Sequence, residues 1–136
     1  MDGQGGHSVG CRILVAEDDS DLRETLVEML DSDQHEVIEA EDGEIALELL
    51  RVIDFEVLLL DLHMPKVDGF GVLSQIDVPP PRVIVYSAFE YYDLDELSER
   101  FGVKITAALQ KPVHPRVLVA TVESACEAGS AGVAGD

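Results

Sequence analysis

Basic residues are scarce in this chain, and their scarcity limits the partners that its surface can bind. Only 9 lysines and arginines stand against 28 aspartates and glutamates, so the formal net charge of the 136 residues is −19. A surface this negative repels the phosphate backbone of nucleic acids and the head groups of anionic lipids. We therefore expect no direct binding to nucleic acid or to a membrane, and a cationic or neutral partner instead.

Long hydrophobic runs are also lacking. No apolar stretch approaches the roughly 18–20 residues that a membrane-spanning helix needs. Residues 1–10 are rich in glycine and have neither the basic start nor the apolar centre of a signal peptide. We therefore expect a cytoplasmic protein.

Cysteine is rare, and Cys11 and Cys126 are the only two. In a reducing compartment the simplest expectation is a pair of free thiols. Cys11 would begin the first strand and Cys126 would lie near the end of the last helix. The two could therefore be neighbours, but we do not predict a disulfide between them.

Strand-like and helix-like patterns alternate along the chain. Short apolar runs predict five strands, at 13–16, 36–40, 57–60, 83–86 and 105–109. Apolar residues at helical spacing predict five helices, at about 20–32, 42–53, 69–76, 94–102 and 115–127. This alternation predicts an α/β fold, a doubly wound five-stranded parallel sheet with helices on both faces. We place one domain at 11–127, between a flexible arm at 1–10 and a flexible tail or linker stub at 128–136.

Polar residues that could share one site follow four of the five predicted strands. They are Glu17, Asp18 and Asp19 after the first strand, Asp61 after the third, Ser87 after the fourth and Lys111 after the fifth. Parallel strands end at one edge of the sheet, where such folds bind ligands, so we expect these side chains to converge. Each residue alone could be a helix cap or part of a turn, and we expect Asp19 to be only a cap. Their combination in chain order predicts a site.

The predicted site suits phosphoryl chemistry. Crowded carboxylates repel one another, and Mg²⁺ prefers oxygen ligands, typically one or two carboxylates with waters and a phosphate oxygen. An ionised Asp61 could attack a phosphoryl group without a general base. The metal, the ammonium group of Lys111 and the hydroxyl group of Ser87 could then share the charge on the transferred group.

Four segments around these residues resemble the receiver domain of two-component response regulators: ILVAEDD, LLLDLHMPKVDG, VIVYSA and LQKP. The resemblance covers about 12–127, and its most specific part is the spacing of Asp61, Met64, Pro65 and Gly69. It implies a flavodoxin-like three-layer sandwich with strand order 2-1-3-4-5. It also implies a signalling domain, not an enzyme beyond self-catalysed phosphoryl transfer to Asp61 and slow autodephosphorylation.

The resemblance further implies a set of metal ligands. The family has an acidic pair and, six residues after the first member of that pair, a frequent arginine. Arg23 lies six residues after Glu17, so Glu17 and Asp18 correspond to the pair. Asp18, Asp61 and the backbone carbonyl of His63 would bind Mg²⁺ directly, and Glu17 would act through a water.

The resemblance also implies a switch and its partners. Ser87 corresponds to the family's switch hydroxyl and Lys111 to its phosphate-pairing lysine. A histidine kinase or phosphotransfer protein would supply the phosphate. A downstream protein partner or output domain would bind the fourth and fifth helices and the fifth strand. A homodimer is a further partner that the resemblance allows.

One position departs from the family pattern. The residue three before Lys111 is usually Tyr or Phe and is Ala108 here, which puts the usual output coupling in doubt. We hypothesise that Phe89, Tyr91 or Tyr92 takes over the role of this aromatic residue. The simpler interpretation is that these three side chains pack against the fourth helix.

His63, two residues after Asp61, raises a second question. Its imidazole could orient water towards a phosphorylated Asp61 or block it. The simpler interpretation is a solvated loop histidine that supplies only its carbonyl.

Two other functions compete with a phosphorylation-driven switch. Ala108 supports a receiver-like interaction module that phosphorylation does not regulate. A hydrolase with an aspartate nucleophile would usually carry a second aspartate where this chain has His63, which counts against it. A nucleotide-binding fold is disfavoured because no GxxxxGK loop is present.

Overall fold

The computed structural model describes residues 11–31, 35–88 and 93–134, which form five consecutive β–α units. The strands are β1 (Cys11–Ala16), β2 (His35–Ala40), β3 (Val57–Asp61), β4 (Arg82–Ser87) and β5 (Ile105–Gln110). The helices are α1 (Ser20–Leu30), α2 (Gly43–Val52), α3 (Gly69–Gln75), α4 (Leu94–Phe101) and α5 (Pro115–Ala134). All strands pair in parallel in the order β2-β1-β3-β4-β5, which confirms the predicted fold class and strand order.

The central strand β3 explains why the helices fall on two sides of the sheet. Every residue of β3 is buried, and successive side chains point to opposite faces. Leu58 and Leu60 pack into a core with α2, α3 and α4, whereas Val57 and Leu59 pack into a second core with α1 and α5. Because both cores need apolar side chains, β3 has no polar residue before Asp61.

Aspartates begin four of the five helices, which accounts for part of the acidic excess. The side chain before each helix accepts one or more N–H groups of its first turn: Asp19 for α1, Asp42 for α2, Asp68 for α3 and Asp93 for α4. A carboxylate there pairs donors that have no partner within the helix, and it lies at the positive end of the helix dipole. The predicted capping role of Asp19 is confirmed.

The last helix is longer than the sequence predicted. We expected it to end near Glu127, and α5 continues to Ala134. Residues 128–134 include three alanines and no proline, so the local chemistry does not stop a helix there. Neither α5 nor any other helix in the described ranges is both long and apolar enough to cross a membrane. The assignment of 1–10 and 128–136 to regions outside the domain stays a prediction.

The expectation of two free thiols is wrong. Cys11 and Cys126 form a disulfide whose Cα atoms lie 5.9 Å apart. Both cysteines belong to the core between the sheet, α1 and α5, so the packing of α5 against β1 brings them together. Composition alone could not predict this contact, because it depends on where α5 crosses the sheet.

Candidate functional site

The carboxyl ends of β1, β3 and β5 bring four charged side chains together. Carboxylate oxygens of Glu17, Asp18 and Asp61 lie within 4.8 Å of one another. The Nζ of Lys111 donates to the Oδ2 of Asp61 at 3.1 Å. The ends of these three parallel strands therefore meet as expected, with an ammonium group beside three carboxylates.

Asp61 is held in one orientation by fixed donors. Its side chain is buried, its Oδ1 accepts the backbone N–H of His63 at 2.9 Å, and its Oδ2 accepts from Lys111. Burial raises the pKa of Asp61, and these two donors oppose that rise. The carboxylate is therefore preorganised, while its charge is only partly compensated.

Ser87 joins the same site from the end of β4. The residue is buried, and its Oγ lies 3.0 Å from the Nε2 of His63. The backbone carbonyl of Ser87 accepts the N–H of Lys111 at 2.6 Å, which connects the ends of β4 and β5. The simpler interpretation of His63 as a solvated loop histidine is wrong, because its ring contacts the Ser87 hydroxyl and is partly buried.

Glu17 is the most enclosed carboxylate of the acidic pair. It is 1% exposed; its Oε1 accepts a hydrogen bond from the phenol of Tyr86, and its Oε2 accepts the N–H of Asp19 at 2.9 Å. Burial raises the pKa of Glu17 to about 7, against the effect of these two donors. A bound cation would favour the ionised form of this carboxylate.

Sequence reasoning missed Tyr86. The hydroxyl of Tyr86 donates to Glu17. The centre of its ring lies 5.1 Å from the Nζ of Lys111, close enough for a cation–π interaction. Tyr86 pairs with Asp61 across β4 and β3, so the two side chains share a face of the sheet. Burial is the main cause that raises the pKa of Tyr86, which keeps the phenol protonated as a donor. The alternation of side chains along β4 was the signal that could have identified it.

Arg23 supports the assignment of the acidic pair. Its Nη1 donates to the backbone carbonyl of Glu17 at 2.8 Å, and its Nε pairs with Glu39 at 2.8 Å. The arginine thereby ties α1 to the loop after β1 and to β2. Asp19 contributes its side chain to the start of α1 and lies outside the carboxylate cluster.

The residues fit a hard divalent cation. With all groups ionised, three carboxylates and one ammonium sum to −2, which a single Mg²⁺ would balance. Asp18 is exposed and the Lys111 side chain is 30% exposed, so the cluster is open to solvent on that side. Water, which Mg²⁺ gives up reluctantly, can therefore remain among its ligands. The roles of the His63 carbonyl and of a Glu17-bound water stay predictions.

The position of the missing aromatic residue is also clear. Ala108 lies in β5 and is partly buried against the core that contains α2, α3 and α4. Its methyl group cannot swing between two positions as a ring can. Phe89, Tyr91 and Tyr92 lie outside the described residues, so the hypothesis that one of them takes over this role stays a hypothesis.

Comparison with known proteins agrees with this geometry. The family model for the response regulator receiver domain matches residues 13–123. The response regulator receiver protein CpdR of Brucella abortus is 34% identical over 115 residues, which cover 82% of this chain and 93% of CpdR. The transcriptional regulatory protein PdtaR of Mycobacterium tuberculosis is 34% identical over 118 residues, or 84% of this chain. That match covers 56% of PdtaR, so the chain spans little more than half of this relative's length.

Solved structures show the same architecture. A CheY-like receiver domain protein from Methanospirillum hungatei JF-1 aligns with a TM-score of 0.75 at 20% identity, over 92% of this chain and 99% of that one. The N-terminal domain of a protein from Wolinella succinogenes aligns with a TM-score of 0.71 at 32% identity, over 89% and 98%. The family model matches residues 13–123, and the strand order agrees with it. The chain therefore belongs to the response regulator receiver domain family, a family of signalling domains.

Proposed function

We propose that this domain is a signalling switch that is operated by Mg²⁺-dependent phosphorylation of Asp61. The observation that carries the proposal is the contact between Lys111 and Asp61 at 3.1 Å, beside the carboxylates of Glu17 and Asp18. A relative that is 28% identical, TrrA of Thermotoga maritima, has been crystallised in complex with Mg²⁺–BeF, with a TM-score of 0.65 to this chain. That complex supports a metal and a phosphoryl mimic as ligands of the corresponding site here.

Each side chain has a role in the proposed transfer. A carboxylate oxygen of Asp61 attacks phosphorus, the new bond joins that oxygen to phosphorus, and the bond to the donor's leaving group breaks. The ammonium group of Lys111 pairs with one phosphoryl oxygen, and the hydroxyl of Ser87 donates to another. Because an ionised carboxylate is the nucleophile, no general base is required. A Mg²⁺ ion held by Asp18, Asp61, the His63 carbonyl and, through water, Glu17 would neutralise charge on the transferred group.

The contact between Ser87 and His63 suggests how phosphorylation alters the surface. The Ser87 Oγ lies 3.0 Å from the His63 Nε2, and the same hydroxyl would donate to the phosphoryl group. Turning the hydroxyl towards the phosphoryl group would remove this support from the imidazole, which belongs to the loop between β3 and α3. The imidazole would then change position near the phosphorylated carboxylate, where it would orient or block water.

We propose that a histidine kinase or phosphotransfer protein supplies the phosphoryl group, and that a downstream protein or output domain reads the switch. The proposed output surface is formed by α4, β5 and α5. β5 ends one residue before Lys111, so it links the phosphoryl group directly to that surface. Ala108 lies in the same strand, and coupling through it must proceed without a rotating ring.

The test is to incubate the protein with Mg²⁺ and acetyl phosphate and to follow its intact mass. We expect wild type to gain the mass of one phosphoryl group, and Asp61→Asn to gain none. Lys111→Met should slow the gain at least about 100-fold, as removal of a single charge-stabilising donor does in enzymes. Asp68→Asn is the matched control, because asparagine also caps helices and Asp68 lies outside the carboxylate cluster.

Two results would count against this function. If Asp61→Asn still gains the phosphoryl mass, another residue is the acceptor. If wild type gains no mass, and beryllofluoride with Mg²⁺ changes no tyrosine fluorescence, the domain is an interaction module that phosphorylation does not regulate.

A further inference from the structure

A second cluster of ligating atoms lies at the opposite edge of the sheet, where the strands begin. Cys11 and His35 are the first residues of β1 and β2 and pair in register, so their side chains share a face. Cys126 of α5 covers that face and belongs to the same core as Cys11. We call these three residues the amino-edge cluster. One ligating atom from each of them lies within 4.8 Å of the other two.

The histidine in this cluster has a polar atom without a partner. The Nδ1 of His35 is buried and forms no hydrogen bond with the described parts of the chain. A buried polar atom left unpaired typically costs about 1–3 kcal/mol, so such an atom calls for an explanation. Cys11 is 2% exposed, whereas Cys126 at 9% and the partly exposed His35 leave the cluster a limited opening to solvent. A metal ion in the cluster would use the imidazole and, once the disulfide is reduced, the two sulfur atoms.

We propose that the amino-edge cluster binds one Zn²⁺ ion when the Cys11–Cys126 disulfide is reduced. Zinc prefers thiolate and imidazole ligands, at about 2.3 Å to sulfur and about 2.0–2.1 Å to nitrogen, in a tetrahedral arrangement. Ligand atoms of one such ion lie roughly 3.3–3.8 Å apart. The three atoms already lie within 4.8 Å, and the cysteine Cα atoms are 5.9 Å apart, so side-chain rotations would form the site. A water would take the fourth position.

Reduction and metal binding are linked because the disulfide offers no thiolate. A dithiol reductant attacks the disulfide, becomes a disulfide itself, and passes two electrons and two protons to Cys11 and Cys126. Zinc binding then releases the thiol protons, since the ligands are thiolates. The cluster therefore holds either a covalent bond or a metal, and the surrounding redox conditions select between them. This inference is independent of phosphorylation at Asp61.

The test uses the full chain, reduced with dithiothreitol that is then removed under anaerobic conditions, and Co²⁺ as a spectroscopic probe. We expect one equivalent of Co²⁺ to give the intense visible bands of tetrahedral cobalt and a thiolate-to-metal charge-transfer band. One equivalent of Zn²⁺ should abolish these bands. The oxidised protein, which keeps its fold, should give none. His35→Ala should weaken Zn²⁺ binding more than about 100-fold, because even a residue behind a ligand typically contributes 10- to 100-fold.

Two control variants locate the site. His114→Asn removes an exposed histidine while preserving a side chain that can cap α5, and it should bind Zn²⁺ as wild type does. Asp61→Asn removes a carboxylate from the opposite edge and should leave the cobalt bands unchanged. Absence of the bands in the reduced protein, their persistence at full strength in His35→Ala, or their loss in Asp61→Asn would each overturn the proposal.

Discussion

Each edge of the sheet buries one residue at an end of β1, but the chemical groups at the two edges differ. β1 connects them: Cys11 begins the strand, Glu17 follows its end, and alternation puts both side chains on the same face. Cys11 is 2% exposed and Glu17 is 1% exposed. At the amino edge, two sulfur atoms join in a covalent bond, whereas at the carboxyl edge like-charged oxygens crowd together beside one ammonium group.

The difference shows how stability and function are divided between the edges. The disulfide joins residues separated by 115 positions. It therefore restricts the conformations of nearly the whole described chain when the protein is unfolded. The carboxyl edge instead buries Glu17 and Asp61, and burial raises the pKa of both. Burying ionisable groups lowers stability unless a partner or a proton compensates them. The disulfide at the amino edge therefore stabilises the fold, whereas the buried carboxyl groups at the carboxyl edge lower its stability.

Reducing the disulfide should produce the largest loss of stability. For a sequence separation of 115, the chain-entropy account predicts a loss of about 5 kcal/mol in the free energy of unfolding. Urea unfolding of the oxidised and the reduced protein, both with a metal chelator, measures the loss. The chelator is needed because a metal bound only to the folded protein would stabilise it.

The double variant Cys11→Ala/Cys126→Ala is the control for effects of the reductant itself. Its unfolding curve should be the same with and without reductant. If oxidised and reduced wild type differ by less than about 1 kcal/mol, the amino edge is not the stabilising region, and the contrast between the two edges fails.

The pH dependence of stability should identify the cost at the carboxyl edge. Burial raises the pKa of Glu17 from 4.5 to about 7, so the folded protein holds this proton more tightly than the unfolded chain. The stabilisation by this proton is complete below pH 4.5 and is lost as the pH rises through about 7. The free energy of unfolding of the metal-free protein should fall over this window, with at most about 3 kcal/mol from Glu17.

Glu17→Gln should remove that part of the pH dependence. The matched control Glu41→Gln, which changes an exposed glutamate just after β2, should retain it. Mg²⁺ should bind more tightly as the pH rises through the same window, because the proton and the cation compete for the carboxylates. If the free energy of unfolding of Glu17→Gln depends on pH in the same way as that of wild type, the charge of Glu17 does not lower the stability of the fold.

The sequence was sufficient wherever one strand or one strand end determined the result. The unbroken apolar run before Asp61 predicted β3 to within a residue, because a parallel strand buried on both faces carries such a run. Glu17, Asp18, Asp61, Ser87 and Lys111 could be assembled because parallel strands end at one edge of the sheet. These predictions needed the order of elements along the chain and little knowledge of their packing.

The sequence was insufficient wherever two distant elements had to be positioned against each other. The bond between Cys11 and Cys126 depends on where α5 crosses β1, and no local pattern records that crossing. The contact of His63 with Ser87 depends on how the loop after β3 folds back towards β4. The length of α5 was underestimated because glycine and serine after Glu127 resemble a linker, although alanines between them sustain the helix.

Tyr86→Phe should have the smallest effect and gives the most local test of the carboxyl edge. The substitution removes the phenol that donates to the Oε1 of Glu17 and leaves that buried carboxylate with the N–H of Asp19. We expect a loss of about 1–2 kcal/mol in the free energy of unfolding, from one buried acceptor that loses its donor. The ring remains beneath Lys111, so the contact between the ring and the ammonium group should survive.

A pH series separates this hydrogen bond from simple repacking. The bond to Tyr86 lowers the pKa of Glu17, so its removal should move the loss of stability in the metal-free protein to higher pH. Combining Tyr86→Phe with Glu17→Gln closes a double-mutant cycle, in which a coupling energy near zero would contradict the expected effect. If the hydrogen bond is the cause, Tyr86→Phe should cost most at high pH, where Glu17 is ionised and the phenol is its only side-chain donor among the described residues.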